Sequence, residues 1–455
     1  MLKFRQILSN LRASFWFVPS LIVLVSIILA IALIEADTAG SDRWLAQWPR
    51  LFGVGAEGSR QMLSTLAGSM MTVLGVTFSM TLVALTLASS QYTSRILRIF
   101  MRSKITQITL GVFAGTFTYC LIVLRTIRSH GAVEFIPGLA VFLGFVLALA
   151  SVGVLIFFIH HIASSIQASS LIASVAQETC SAIDRLFPGE KEWAAKGKEE
   201  NEEELLRLLN EKTWCTVPAN KSGYIQSVNS EALLRLAWEK KTILRMERSI
   251  GDFVVKKTAL ASLDLEEDPD NETAAAINAA YNISIHRTID QDPAFGVRQL
   301  VDIALKALSP GVNDTSTAVM CVDHLTAILA HLADRQFPPS RLCKDGELRV
   351  IKIAPTFESL LSDSFDQIRR SAAGNVSIMA RIISALDSIA SLTGGSPRSR
   401  QALREQMQRI AELAERTIES THDRTYIRRR LMPLREALEA ELALESEEEI
   451  FGKGH

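Results

Sequence analysis

The chain has 455 residues, with 48 Lys and Arg against 49 Asp and Glu and a formal net charge of −1. That balance excludes the basic footprint of a nucleic-acid-binding domain, and five cysteines without CxxC pairing exclude a disulfide scaffold or a zinc ribbon. The length allows more than one domain, and the near-neutral total conceals a membrane-like first third.

Residues 15–34, FWFVPSLIVLVSIILAIALI, form a charge-free run long enough to cross a hydrocarbon core as a helix. A cleaved signal peptide would have a shorter apolar core ending at small residues, so the run is read as a retained anchor. Three more charge-free runs follow at 62–88, 105–124 and 136–159. Lipid cannot satisfy free backbone donors and acceptors, so each is predicted to be a helix. Four spans return the chain to its starting side. Lys3, Arg5, Arg12, Arg95, Arg98, Arg102 and Lys104 flank one side, against Arg43, Arg50, Arg60, Arg125 and Arg128 on the other. This bias predicts a multi-pass membrane protein with both termini cytoplasmic.

In the second span Gly68, Thr72, Gly75, Ser79 and Thr86 fall on one face at ~100° per residue. Small and hydroxyl residues on one face point either to close helix packing, through Gly68-x-x-x-Thr72 and Gly75-x-x-x-Ser79, or to the lining of a pore around an oligomer axis. If the helix runs on straight, Arg95, Arg98 and Arg102 project ~140° from that stripe and are read as headgroup anchors.

Beyond the spans, residues 163–212 are predicted to be a connecting helix and a charged linker. Residues 213–265 read as a small mixed or β module, in which GYIQSV and TILRMERSIGDFVV carry β-branched and aromatic residues around the helical NSEALLRLAWEKK. Residues 266–446 read as a large α-helical cytoplasmic domain and 447–455 as an acidic tail. The fold class is therefore a mainly α membrane protein, a four-helix transmembrane region followed by a small mixed module and a helical domain.

Within that domain Asp292-Pro293 starts a helix and Ser309-Pro310-Gly311 ends it, after which Asn313 or Asp314 can cap the next. Every polar residue of this turn has a structural task available, so it is read as a stop, a turn and a cap rather than a ligand loop.

The stretches DQDPAFGVRQLVDIALKALSPGVNDTSTA, FSMTLVALTLASSQYTSRILRIF and LGVFAGTFTYCLIVLR resemble signature segments of a bacterial family of predicted membrane proteins of unknown function. The resemblance runs from the first span past Leu325. It implies an inner-membrane protein with an amino-terminal multi-span region and supplies no catalytic residues. The family commonly has Pro after the Asn-Asp pair where this chain has Thr315, and Pro suits a first helical turn, which supports Asp314 as a cap.

No HExxH, P-loop, dinucleotide or GxSxG motif occurs, so neither catalysis nor a cofactor is indicated. His324 and His331 lie two turns apart on one helical face, a spacing that chance supplies readily, and no metal site is assigned. The basic run RTYIRRRLMPLR at 424–435 suits anionic headgroups or an acidic partner, and the nearby Glu-rich helices are an equally good match. Two functions remain: a homo-oligomeric channel or pore with a cytoplasmic gating domain, or a membrane-anchored sensor or scaffold. The lipid bilayer is the implied partner, and the ion or small ligand is not specified.

Overall fold

The computed structural model describes residues 16–38, 55–91, 104–128, 135–165, 167–187, 212–393 except 334, 336 and 338, and 397–452. Two units divide at Ser170. The first holds α1 (Phe17–Thr38), α2 (Ala56–Gln91), α3 (Lys104–Thr126) and α4 (Gly138–Ser165). These are the four charge-free runs, each lengthened at one or both ends because helix geometry continues into the polar flanks. Arg95, Arg98 and Arg102 lie outside the described residues.

The third helix is the hub. It packs against α1, α2 and α4, and buries Thr106, Gln107, Thr109, Gly111, Gly115 and Thr116 along with Phe113, Tyr119, Cys120 and Val123. Apolar burial gives little drive between helices in lipid, so close approach of small residues does the work. The tightest crossing is α1 with α3. A Cβ on Gly111 would lie 2.6 Å from Ile22 Cδ1 and 3.0 Å from Pro19 Cα, and one on Gly115 would lie 2.5 Å from Ser26 Oγ. This Gly111-x-x-x-Gly115 pair is a close small-xxx-small contact among the described residues, and its spacing is legible in LGVFAGTF.

The second unit begins within α5 (Ala168–Leu186). It continues with β1 (Trp214–Pro218), β2 (Gly223–Val228), α6 (Ser230–Glu239), β3 (Leu244–Met246), β4 (Phe253–Val254), β5 (Ala259–Asp264), α7 (Asn271–Ala280) and β6 (Tyr281–Ser284). Then come α8 (Pro293–Ala307), α9 (Thr315–Ala333), β7 (Arg341–Lys344), β8 (Glu347–Ile351), α10 (Phe357–Ser371), α11 (Val376–Ala390), α12 (Pro397–Thr417) and α13 (Thr421–Gly452). One sheet has the order β1-β5-β3-β8-β7 and the other β4-β2-β6. All neighbours are antiparallel except β3 and β8.

The expectation that 266–446 is wholly helical needs correction, because β6, β7 and β8 fall inside it and complete both sheets. The β7–β8 hairpin turns at Asp345-Gly346, with φ of +54° and +80°. That is the left-handed pair a tight hairpin requires, and Asp-Gly is its usual sequence signal. The tail expectation also changes, since the α13 backbone stays helical to Gly452. Of residues 163–212, α5 matches the predicted connecting helix, while 188–211 lie outside the described residues.

Among the described residues five helices, not four, are long and apolar enough to cross a membrane: α1 to α4 and α9. The last is covered by α8, α10 and α11, which meet its buried face of Ala318, Cys321, Val322, Leu325, Ile328, Leu329 and Leu332.

Candidate functional site

Gly68, Thr72, Gly75, Ser79 and Thr86 of α2 are all exposed, and among the described residues nothing beyond the helix's own backbone lies within 4 Å of a Cβ placed on Gly68 or Gly75. The buried residues of α2, Ala56, Ser59, Leu63, Ala67, Met70, Thr77 and Ala84, are centred ~180° around the helix from this stripe. The stripe therefore points away from α3 and α4. It is not the packing seam of its own four-helix unit.

Its hydroxyls divide into two kinds. Thr72 Oγ1 donates to Gly68 O at 3.0 Å and Thr86 Oγ1 to Leu82 O at 2.9 Å. Back-bonding of this kind satisfies a hydroxyl without water, so those two threonines tolerate lipid. Ser79 is exposed in the middle of the helix with no hydrogen-bond partner among the described residues.

A buried charge is present where none was expected in the spans. Asp37, at the last turn of α1, is 8% exposed and accepts from the N–H groups of Leu139 at 3.3 Å and Ala140 at 3.1 Å. The start of α4 has free N–H groups and the positive end of the helix dipole, so the carboxylate acts as a cap supplied by another helix. Tyr119 Oη donates to Ala140 O at 2.7 Å and fixes the same corner.

In the second unit Asp314 caps α9. Its Oδ1 accepts from Thr317 N at 3.0 Å and its Oδ2 from the Thr317 hydroxyl. The turn before it closes through Val312 N and Asn313 N to Ser309 O, and Asp314 N to Ala307 O, with Asn313 at φ +50°. Ser309 Oγ donates to Lys306 O at 2.6 Å. The Thr317 hydrogen bonds hold the Asp314 carboxyl below the ordinary range.

Asp292 caps α8 in a different environment. It is buried, accepts from Phe295 N at 3.1 Å, and pairs with Arg287, whose Nε and Nη2 both lie 2.8 Å from Oδ2. The Arg287 guanidinium stacks over the Phe295 ring at 5.1 Å. Burial pushes this carboxyl up, and Arg287 pulls against it. Gly251, at φ +91°, closes over the pair, where a Cβ would meet both Arg287 and Asp292 at 2.6 Å.

His331 and His324 do not converge on a shared ligand site. His331 Nε2 lies 2.7 Å from Asp184 Oδ1 of α5, and Arg335 Nη2 reaches the same oxygen at 2.6 Å. Arg335 also donates to Phe187 O at 2.9 Å, so the three residues tie α5 to the end of α9. No cluster of His, Cys, Asp and Glu suited to a metal occurs among the described residues. In the basic run, Arg428 pairs with Glu415 of α12 at 2.6 Å and Arg435 with Glu439 one turn on in α13 itself at 2.9 Å, so two of its arginines are matched by nearby acids.

Sequence reasoning missed Asp37, Tyr119, Arg287 and Asp184. For Asp292 it saw the cap and not the ion pair. Asp37, Tyr119 and Asp184 meet partners on other elements, and Arg287, five residues before Asp292, lies in an irregular connection with no helical or strand spacing to pair them, so no local pattern marked these contacts.

Uncharacterised proteins of Mycobacterium bovis and Mycobacterium tuberculosis are each 30% identical to this chain over 438 residues, covering 93% of it and 80% of the relative. No solved structure matches. The model of a family described as predicted membrane proteins, DUF2254, matches residues 12–388, so the chain belongs to that family.

Proposed function

We propose that the protein is a homo-oligomeric, channel-like protein of the bacterial inner membrane, with four spans, both termini in the cytoplasm and the second unit serving assembly or gating. The observation that carries this reading is the outward stripe of α2, where Gly68 and Gly75 are open and the Ser79 hydroxyl has no partner among the described residues. In lipid a lone hydroxyl is costly, so a neighbouring copy or water has to meet it. Arranged around an axis, the five positions line an aqueous path between subunits. Thr72→Leu and Ser79→Leu narrow and dry such a path, and a hydrophobic constriction gates by dewetting. Ion flux through reconstituted protein is expected to fall while the oligomer persists. Unchanged flux in both variants contradicts the proposal.

A second reading, a membrane-anchored sensor or scaffold, draws on a groove of about 490 Å³ between α12 and α13. Met407, Ala411, Leu431 and Leu438 line it with Arg404, Arg428 and Arg435. Its volume lies in the range of small-molecule sites. Ligand binding there without any flux favours this alternative.

A further inference from the structure

From the β4-β2-β6 sheet we infer a docking surface for anionic phospholipid at the end where Val255, Gly223 and Ile285 emerge. Two turns meet there. The first, at 219–222, joins β1 to β2, and the second, at 255–258, joins β4 to β5. Lys256 N donates to Ser222 Oγ at 2.8 Å, Lys257 N to Ala219 O at 2.9 Å and Ala219 N to Thr258 O at 2.9 Å, so the turns form one knuckle.

Lys221, Lys256 and Lys257 are exposed on it, with no ion-pair partner among the described residues. The nearest acidic residue in sequence, Asp252, has its carboxylate engaged by Ser249 N at 2.7 Å. Lys257 sits at φ +73°, a left-handed position where glycine or asparagine is unstrained. The strained position thus presents a lysine outward.

Apolar side chains stand beside these charges. Phe253 is 53% exposed, Val255 51% and Ile285 79%. Tyr224 pairs in register with both Phe253 and Ser284, and its ring meets Phe253 edge-on at 5.0 Å. Ile285 follows Ser284 and leaves the sheet at the same end. Lysines around an aromatic and aliphatic tip match the bilayer interface, where ammonium groups meet anionic headgroups and apolar tips enter the acyl boundary. The same chain carries the helices long and apolar enough to cross a bilayer. This inference rests on membrane anchoring and not on the channel reading, so either can fail alone.

The test is hydrogen exchange on the full-length protein in nanodiscs of phosphatidylcholine, with or without phosphatidylglycerol. Amides of 219–224 and 253–258 are expected to exchange roughly fivefold or more slowly with phosphatidylglycerol, the factor set by one lysine at an anionic surface. Lys221→Gln, Lys256→Gln and Lys257→Gln together are expected to abolish that slowing, while exchange of the buried strand β5 stays the same and reports an intact fold. Equal exchange in both lipids overturns the inference. So does slowing that survives the triple substitution. Slowing by a single-stranded RNA oligomer in phosphatidylcholine nanodiscs, with none from phosphatidylglycerol, replaces lipid with nucleic acid as the occupant.

Discussion

Asp37 of α1 and Ala140 of α4 are joined by a 3.1 Å hydrogen bond from the Ala140 N–H to the Asp37 carboxylate. A helix that begins inside the membrane unit is thereby capped by an acid more than a hundred residues away in sequence. Asp37→Ala leaves two N–H groups at the start of α4 without an acceptor. The expected cost is about 1 to 3 kcal/mol, measured as a lowered thermal unfolding midpoint in detergent. Asp37→Asn keeps an acceptor and is expected to recover most of it. Full stability in the alanine variant would show that the cap is not used.

The glycines of α2 and α3 are expected to behave oppositely. Gly111→Ala and Gly115→Ala place a methyl against Ile22 and Ser26, so overpacking is expected to cost roughly 1 to 3 kcal/mol. Gly68→Ala and Gly75→Ala meet open space among the described residues. They are expected to leave the monomer's thermal stability unchanged or slightly raised, because alanine is the better helix former. Unfolding of the four single variants in monodisperse detergent separates the two pairs.

For the turn, Asp314→Ala is expected to cost on the order of 1 kcal/mol as a lost cap. Asp314→Asn is expected to be nearly neutral by the same measurement. Loss of a ligand or an activity in the asparagine variant at unchanged stability would assign the charge a functional role.

Acid is expected to loosen α5. The hydrogen bond to His331, with the charge of Arg335, holds the Asp184 carboxyl below its ordinary value. A carboxyl depressed in the folded state adds stability that is complete above its unfolded pKa of about 3.9 and is lost as pH falls through the lower, folded value. Amide exchange in α5, corrected for intrinsic rates, is therefore expected to rise below about pH 4 in the wild type. In Asp184→Asn the rise is expected to be absent. A rise of equal size in both contradicts the assignment.

The four apolar helices were legible because lipid imposes long charge-free runs, and the caps at Asp292 and Asp314 because capping is a local property. Non-local pairing was not. β6 is four residues long and follows an alanine-rich helix, and its partner β2 lies more than fifty residues upstream. The Asp345-Gly346 turn carried a readable hairpin signal and was lost between two strongly helical stretches. Asp37 lies just past the apolar run, and only the folded arrangement of α1 and α4 brings it to a helix start. Helical arithmetic placed the five residues of α2 on one face, but it could not say what that face meets, since direction is set by which helices pack behind it.

The central claim, that this face lines an aqueous path, is tested most directly by single cysteines at 68, 72, 75, 79 and 86. They are placed in a Cys343→Ser background of the reconstituted protein, since Cys343 is the exposed native thiol. A water-soluble thiol reagent is expected to label the five positions and to block flux most strongly at Thr72→Cys and Ser79→Cys. Uniform protection at all five positions, with flux unaffected, would contradict the account.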